Sequence, residues 1–110
     1  MKIPNGEQAD LGNKLEDYSL NPFHRQGKHK ARVFEAVLGV TIINKHVLAG
    51  ALLTAAKNSN EAVALGDNGF GETYALHFEL VTKKGSAAVM SGWIIRRNER
   101  FPRLTTCYIM

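Results

Sequence analysis

Apolar residues recur at helical spacing over the first half of the chain and at alternate positions over the second. Residues 1–9 carry no period and predict an extended lead-in. Asp10 is placed to cap a short helix over roughly residues 11–19, with Leu11, Leu15 and Tyr18 on one stripe. Asn21-Pro22 ends it, because proline disfavours helix in the residue before it. Gly27 to Leu38 predicts a second helix stopped by Gly39. On that helix Ala31, Val33, Phe34, Val37 and Leu38 form an apolar arc, with Lys28, Arg32, Glu35 and Ala36 opposite. Lys30 falls inside the arc. A third helix, capped by Thr41 or Asn44, runs to about Lys57 with Leu48, Ala51, Leu52 and Ala55 inward. Asn58-Ser59-Asn60 breaks it.

From Glu61 the period becomes two. A short strand from Ala62 to Leu65 precedes the loop GDNGFG, which lacks the lysine of a phosphate loop and reads as a hairpin turn. Tyr74, Leu76, Phe78 and Leu80 then alternate with Ala75, His77 and Glu79, the mark of a half-buried strand. Lys83-Lys84-Gly85 turns the chain into a strand from Ser86 to about Arg97, and a last strand runs from Leu104 to Met110. Short connections imply hairpins. The expected fold class is therefore α+β, with N-terminal helices packed on one face of a four-stranded antiparallel sheet, and residues 1–110 forming one domain.

With apolar residues at 45% and charged residues at 22%, the composition is that of a folded chain rather than a disordered one. The net charge of +4 is concentrated in two blocks. Residues 21–46 carry Arg25, Lys28, Lys30, Arg32 and Lys45 against Glu35 alone, and residues 81–110 carry Lys83, Lys84, Arg96, Arg97, Arg100 and Arg103 against Glu99 alone. If the blocks meet in space they attract a polyanion such as RNA; if they do not, they solvate two separate surfaces. Cys107 is the single cysteine, which excludes an internal disulfide, and its apolar setting predicts a buried, inert thiol. The opening MKIPNGEQAD lacks the apolar stretch of a signal peptide and no segment reaches membrane-spanning length, so a cytoplasmic setting is expected.

His24 and His29 lie five apart, His46 and His77 stand alone, and no carboxylate sits at ligand spacing beside them, so no metal and no other cofactor is expected. The segment from Asn21 to Arg32 is richer. It gathers two histidines, several cations and a glycine that permits close backbone approach, at the start of a helix whose amides favour phosphate. RNA cleavage by transesterification needs a base near the 2′-hydroxyl, a cation at the phosphate and an acid at the leaving oxygen. His24 and Lys30 supply parts of that set; their plainer readings are a turn histidine bonded to local backbone and a lysine stem at a helix end. In the last strand, strict alternation puts Leu104, Thr106, Tyr108 and Met110 on one face and Thr105, Cys107 and Ile109 on the other, with Thr106 and Tyr108 about 7 Å apart. Trp93 reads as core more readily than as a stacking platform.

The run Leu20-Asn21-Pro22-x-His24-x-x-Gly27-x-x-Lys30-Ala31-x-x-Phe34-x-x-x-Leu38-Gly39 resembles a family of small bacterial domains classed as a domain of unknown function. Gly71-x-x-Tyr74, Trp93 and Pro102-Arg103-Leu104-x-Thr106-x-Tyr108 extend the resemblance over nearly the whole chain, although the family commonly has proline where Ile109 follows the tyrosine. The resemblance implies a toxin-like domain with a small acidic antitoxin or immunity protein as partner. The order of elements is also similar to the fold of barnase, colicin nucleases and the RelE toxins, which cleave RNA without metal. By that analogy the chain is expected to be a metal-independent ribonuclease toxin, with His24, Lys30, Thr106 and Tyr108 catalytic and Lys28, Arg32, Arg97 and Arg103 on the RNA. The alternative is a non-catalytic module that binds RNA or protein through the same basic surface.

Overall fold

The computed structural model describes all 110 residues. Four strands, β1 (Val63–Asp67), β2 (Gly71–Val81), β3 (Ser86–Arg96) and β4 (Arg103–Ile109), form an antiparallel sheet in the order β1-β2-β3-β4, as the hairpin reading expects. Tyr74, Leu76, Val89, Trp93, Leu104 and Cys107 are buried beneath the helical layer. Trp93 is 1% exposed, and its indole donates to Ser91 Oγ at 2.9 Å, which in turn donates to the Leu76 carbonyl at 2.6 Å. That chain satisfies the polar end of the largest core side chain, and it settles Trp93 as core rather than a platform.

Helix α1 (Lys28–Val33) continues as a wider π-helical segment, Phe34–Leu38. Gly39 stops it at φ 68°, a conformation that side chains rarely tolerate, and its amide donates to the Glu35 carbonyl at 3.0 Å. Ala31, Phe34 and Leu38 face the core while Val33 and Val37 are exposed, so the apolar arc is narrower than a regular helix predicts. Helix α2 (His46–Asn58) buries Leu48, Leu52 and Ala56 and packs on β2 and on the 3-10 turn Gly6–Gln8. Asn44 and Thr41 act one turn earlier than expected. Asn44 Oδ1 accepts from the Thr41 amide at 2.7 Å, which folds the approach to the helix instead of capping it.

The first predicted helix is the largest departure. Asp10 Oδ1 accepts from the Gly12 amide at 2.8 Å, so a turn stands where a helix cap was expected. Only Leu15–Ser19 is helical, as a single π-helical turn set against α1 and β4. Residue 10 instead runs beside β4: its amide donates to the Pro102 carbonyl at 2.9 Å and its carbonyl accepts from Leu104 at 3.0 Å. This covers part of an edge that would otherwise expose unpaired backbone groups. It also carries the segment that follows across the end of the sheet, where it forms one wall of a cleft.

Candidate active site

The loop from Asn21 to Gly27 is organised by its own polar side chains. Asn21 Oδ1 accepts from the Phe23 amide at 2.8 Å, and His24 Nδ1 accepts from the Gln26 and Gly27 amides at 3.0 and 2.9 Å. The His24 carbonyl accepts from Lys28 at 3.0 Å. The amides of Gln26, Gly27 and Lys28, which lead into the helix, are therefore already engaged. With Nδ1 occupied as an acceptor, the neutral ring carries its proton on Nε2. In that tautomer Nε2 presents an N–H donor, and acceptance of a proton by the ring would require Nδ1 to leave the two amides. Gly27 serves a close approach within the chain: a Cβ there would lie 2.1 Å from the Tyr18 carbonyl oxygen, in the Leu15–Ser19 turn.

That approach builds a cluster. The Tyr18 and His24 rings meet edge to face, with centroids 4.8 Å apart and planes at 85°. Lys30 Nζ donates to Tyr18 Oη at 2.7 Å and lies 4.8 Å from the Tyr18 ring centroid and 6.0 Å from that of Tyr108. The half-buried lysine therefore crosses from the apolar side of α1 to an ammonium held between two aromatic rings. Because Tyr18 Oη accepts from the ammonium, its own hydroxyl hydrogen is free to point outward.

Tyr18 and His24 open on a cleft of about 380 Å³. Asp10 to Lys14 and Asp17 line one side, and Ile94, Arg96, Arg103 and Thr105 line the other. Strict alternation fails in β4. The register shifts between Gly92 and Trp93, where Gly92 faces Thr106 and Trp93 faces Leu104, leaving Thr105 as the extra residue of a bulge. Leu104 and Cys107 are consequently both buried, and Thr105, not Thr106, reaches the cleft. Thr106 packs near Gly92, a position where a Cβ would meet Thr106 Cγ2 at 3.3 Å. Tyr108, 38% exposed, borders with Lys30 a separate shallow depression of about 230 Å³.

The expected RNA-binding cations are dispersed. Arg103 makes a two-point ion pair with Glu99, at 2.8 and 2.6 Å, and reaches Asp10 at 3.3 Å. Its guanidinium holds the Glu99 carboxyl below the usual range. Arg97 pairs with Asp67 at 3.1 Å. Lys28 and Arg32 lie on α1 and do not line this cleft; Arg32 borders an apolar groove with Pro22, Ile42 and Ile43. At this cleft the two basic blocks contribute His24 to one wall and Arg96 and Arg103 to the other, and elsewhere they meet where Lys84 Nζ donates to the Glu35 carbonyl at 3.0 Å. Arg96 and Lys14 are the cleft cations without an ion pair, and Asp17 is the carboxylate there without one. Tyr18, Thr105, Arg96 and Asp17 were not singled out by sequence reasoning. For Tyr18 a signal exists, since a tyrosine on an apolar stripe brings a hydroxyl that needs a partner.

Cys107 lies behind the cluster. Burial pushes its thiol up to about 11, while the neighbouring Ser19 hydroxyl and the Lys30 charge pull the other way. The contact with sulfur is too loose to satisfy Ser19 Oγ, which has no hydrogen-bond partner of standard geometry. The thiol is the neutral, inert group that its setting predicts. Its proton is held more tightly in the folded chain than at the ordinary value of 9.0, so its contribution is complete below about pH 9. That contribution is lost as pH rises towards about 11, a change of about 2–3 kcal/mol. The stability gap between wild type and Cys107→Ala, measured by urea unfolding, is expected to narrow from pH 8 to pH 11. A gap independent of pH would contradict this.

No three His, Cys, Asp or Glu side chains converge as metal ligands in the chain. No helix is long and apolar enough to cross a membrane. The family of domains of unknown function DUF6883 matches residues 2–110. The chain belongs to that family. No curated protein matches this DUF6883 domain. Among solved structures it is similar to one chain of a contact-dependent growth inhibition toxin–immunity protein complex from Klebsiella pneumoniae 342, with a TM-score of 0.71 and 18% identity. The alignment covers 93% of this chain and 98% of that one, so the two share a fold over nearly their full lengths.

Proposed function

We propose that this DUF6883 domain is the toxic partner of a toxin–immunity pair and that it cleaves RNA by attack of a 2′-hydroxyl on the adjacent phosphate. The observation that carries the reading is the Lys30–Tyr18–His24 cluster, in which a phenol and an imidazole N–H donor line one open cleft and an ammonium bonds the phenol from behind. The fold shared with a chain of a growth-inhibition complex supports the toxin half of the proposal.

In this reading the scissile phosphate lies against Tyr18 and His24. Nε2–H of His24 donates to a phosphate oxygen, while Oη–H of Tyr18 protonates the departing 5′-oxygen as its bond to phosphorus breaks, and the Lys30 ammonium stabilises the phenolate left on Tyr18. Asp17 takes the 2′-hydroxyl proton, because Asp10, the other carboxylate of the cleft, is committed to Gly12 and Arg103. Thr105 takes the orienting role that spacing gives to Thr106. Tyr108 acts from behind, as the second ring that steadies the ammonium. Arg96 and Lys14 supply charge to the RNA directly, and Lys28, Arg32, Arg97 and Arg103 act as long-range or structural cations. A small acidic immunity protein that covers this cleft would silence it.

The test is incubation of the purified chain with a defined RNA in excess chelator, with analysis of the product ends. A 2′,3′-cyclic phosphate, absent when the 2′-hydroxyl is methylated, is expected. Salt-sensitive binding that yields no product would instead establish a non-catalytic binding module.

A further inference from the structure

The cleft beside Tyr18 and His24 does not end there. Ile94, Arg96 and Thr105 line it and also line a second, larger cleft of about 690 Å³, whose far wall is Gly69 and Phe70 at the tip of the β1–β2 hairpin. Phe70 is 74% exposed. A single exposed phenylalanine has no meaning by itself, and Phe23, at 92%, borders none of the clefts described above. Phe70 differs in two respects: it walls a cleft that shares Ile94, Arg96 and Thr105 with the proposed reaction site, and its backbone is tied by hydrogen bonds on both sides.

The hold on the tip comes from both sides. Asp67 Oδ1 accepts from the Gly69 amide at 2.6 Å and from Arg97 Nη2 at 3.1 Å. Asn68 Oδ1 accepts from the Phe70 amide at 2.9 Å, and the Phe70 carbonyl accepts from the Arg97 amide at 3.2 Å. The ring is thus presented to water from a hydrogen-bonded tip, in the cleft that Arg96 also lines. An aromatic side chain on the wall of one cleft, hydrogen-bond donors in the other, and between them Arg96, which has no ion pair although Glu99 lines the same cleft, are the groups that a single-stranded nucleic acid engages, since its bases stack and its phosphates carry charge.

We infer that Phe70 is a base-stacking subsite that holds an unpaired nucleotide of the RNA while Arg96 neutralises the phosphate between it and the reaction site. The inference rests on the RNA-cleaving reading and adds the form of the substrate: single-stranded at the bound position, because a base inside a duplex has no free face for the ring. Arg97, expected from sequence to touch RNA, then serves by locking the platform through Asp67.

The experiment uses a 2′-O-methyl hexanucleotide, which binds but is not cleaved by this route, titrated against wild type, Phe70→Ala and Phe70→Trp. Phe70→Ala is expected to weaken binding by about 5- to 150-fold, the loss of one base–aromatic stack. Phe70→Trp is expected to retain affinity and to show indole fluorescence that the oligonucleotide quenches, against the constant background of buried Trp93. Removing one base from the oligonucleotide at the stacked position should lower wild-type affinity to that of Phe70→Ala. Equal binding by wild type and Phe70→Ala overturns the subsite while leaving RNA cleavage by wild type standing. Failure of wild type to bind or cleave any RNA overturns both. If Phe70→Ala leaves RNA affinity intact and weakens only an immunity protein's grip, the tip is a protein contact and the inference fails.

Discussion

Removal of a single oxygen by Tyr18→Phe is expected to lower RNA cleavage by about 10²–10³-fold, the usual effect of deleting one donor aimed at developing charge. Lys30→Met is expected to do nearly the same, since its ammonium reaches the cleft through the Tyr18 hydroxyl at 2.7 Å. The two substitutions should not add. Residues that act as one unit lose their joint contribution when either is removed, so the double variant should fall no further than the worse single variant. Tyr108→Phe should be milder, because the ring that steadies Lys30 at 6.0 Å is retained. Single-turnover rates, with folding checked by thermal melting, measure the cycle. Fully additive losses would mean that Lys30 meets the phosphate independently of Tyr18.

Gly27→Ala tests how the site is built rather than what it does. The added methyl would sit 2.1 Å from the Tyr18 carbonyl oxygen and 3.1 Å from its Cδ1, so the loop and the Leu15–Ser19 turn must separate. Overpacking of this kind costs about 1–3 kcal/mol. The same displacement pulls Tyr18 from His24 and Lys30, so cleavage should fall with stability, and it should stay low at temperatures where the variant remains folded. The backbone conformation is not the obstacle, because φ at Gly27 is −81°. A variant as stable and active as wild type would show that the loop can shift without disturbing the cluster.

Features fixed by neighbours in sequence were legible. The Gly39 stop, the alternation from Tyr74 to Leu80 and the turns at GDNGFG and Lys83-Lys84-Gly85 each depend on a few adjacent residues, and each falls where the pattern puts it. Lys30 could be singled out because a cation inside an apolar arc demands a partner. The partner itself, Tyr18, could not be identified, because it belongs to a stretch expected to form a regular helix and forming a single π-helical turn instead. The bulge at Thr105 was equally hidden. A one-residue slip is a property of two paired strands, and it exchanges the faces on which side chains lie. Charge was the least legible. Arg103 pairs with Asp10 across 93 residues and Arg97 with Asp67 across 30, so cations that look free in sequence are neutralised in space.

The bulge also explains why the site joins residues of such different origin. Without the extra residue, Thr105 would point with Cys107 into the core, and the floor of the cleft would lose the hydroxyl it shares with the hairpin side. Bulges recur where a strand must re-aim a side chain, and here the re-aimed residue lies where the two clefts join.

The most direct measurement is induced expression of wild type and of Lys30→Ala in bacteria, followed by growth and inspection of total RNA. The account predicts growth arrest with RNA fragmentation for wild type, and both effects lost in a folded Lys30→Ala variant. Harmless wild-type expression with intact RNA, or arrest that persists unchanged in the variant, would contradict it.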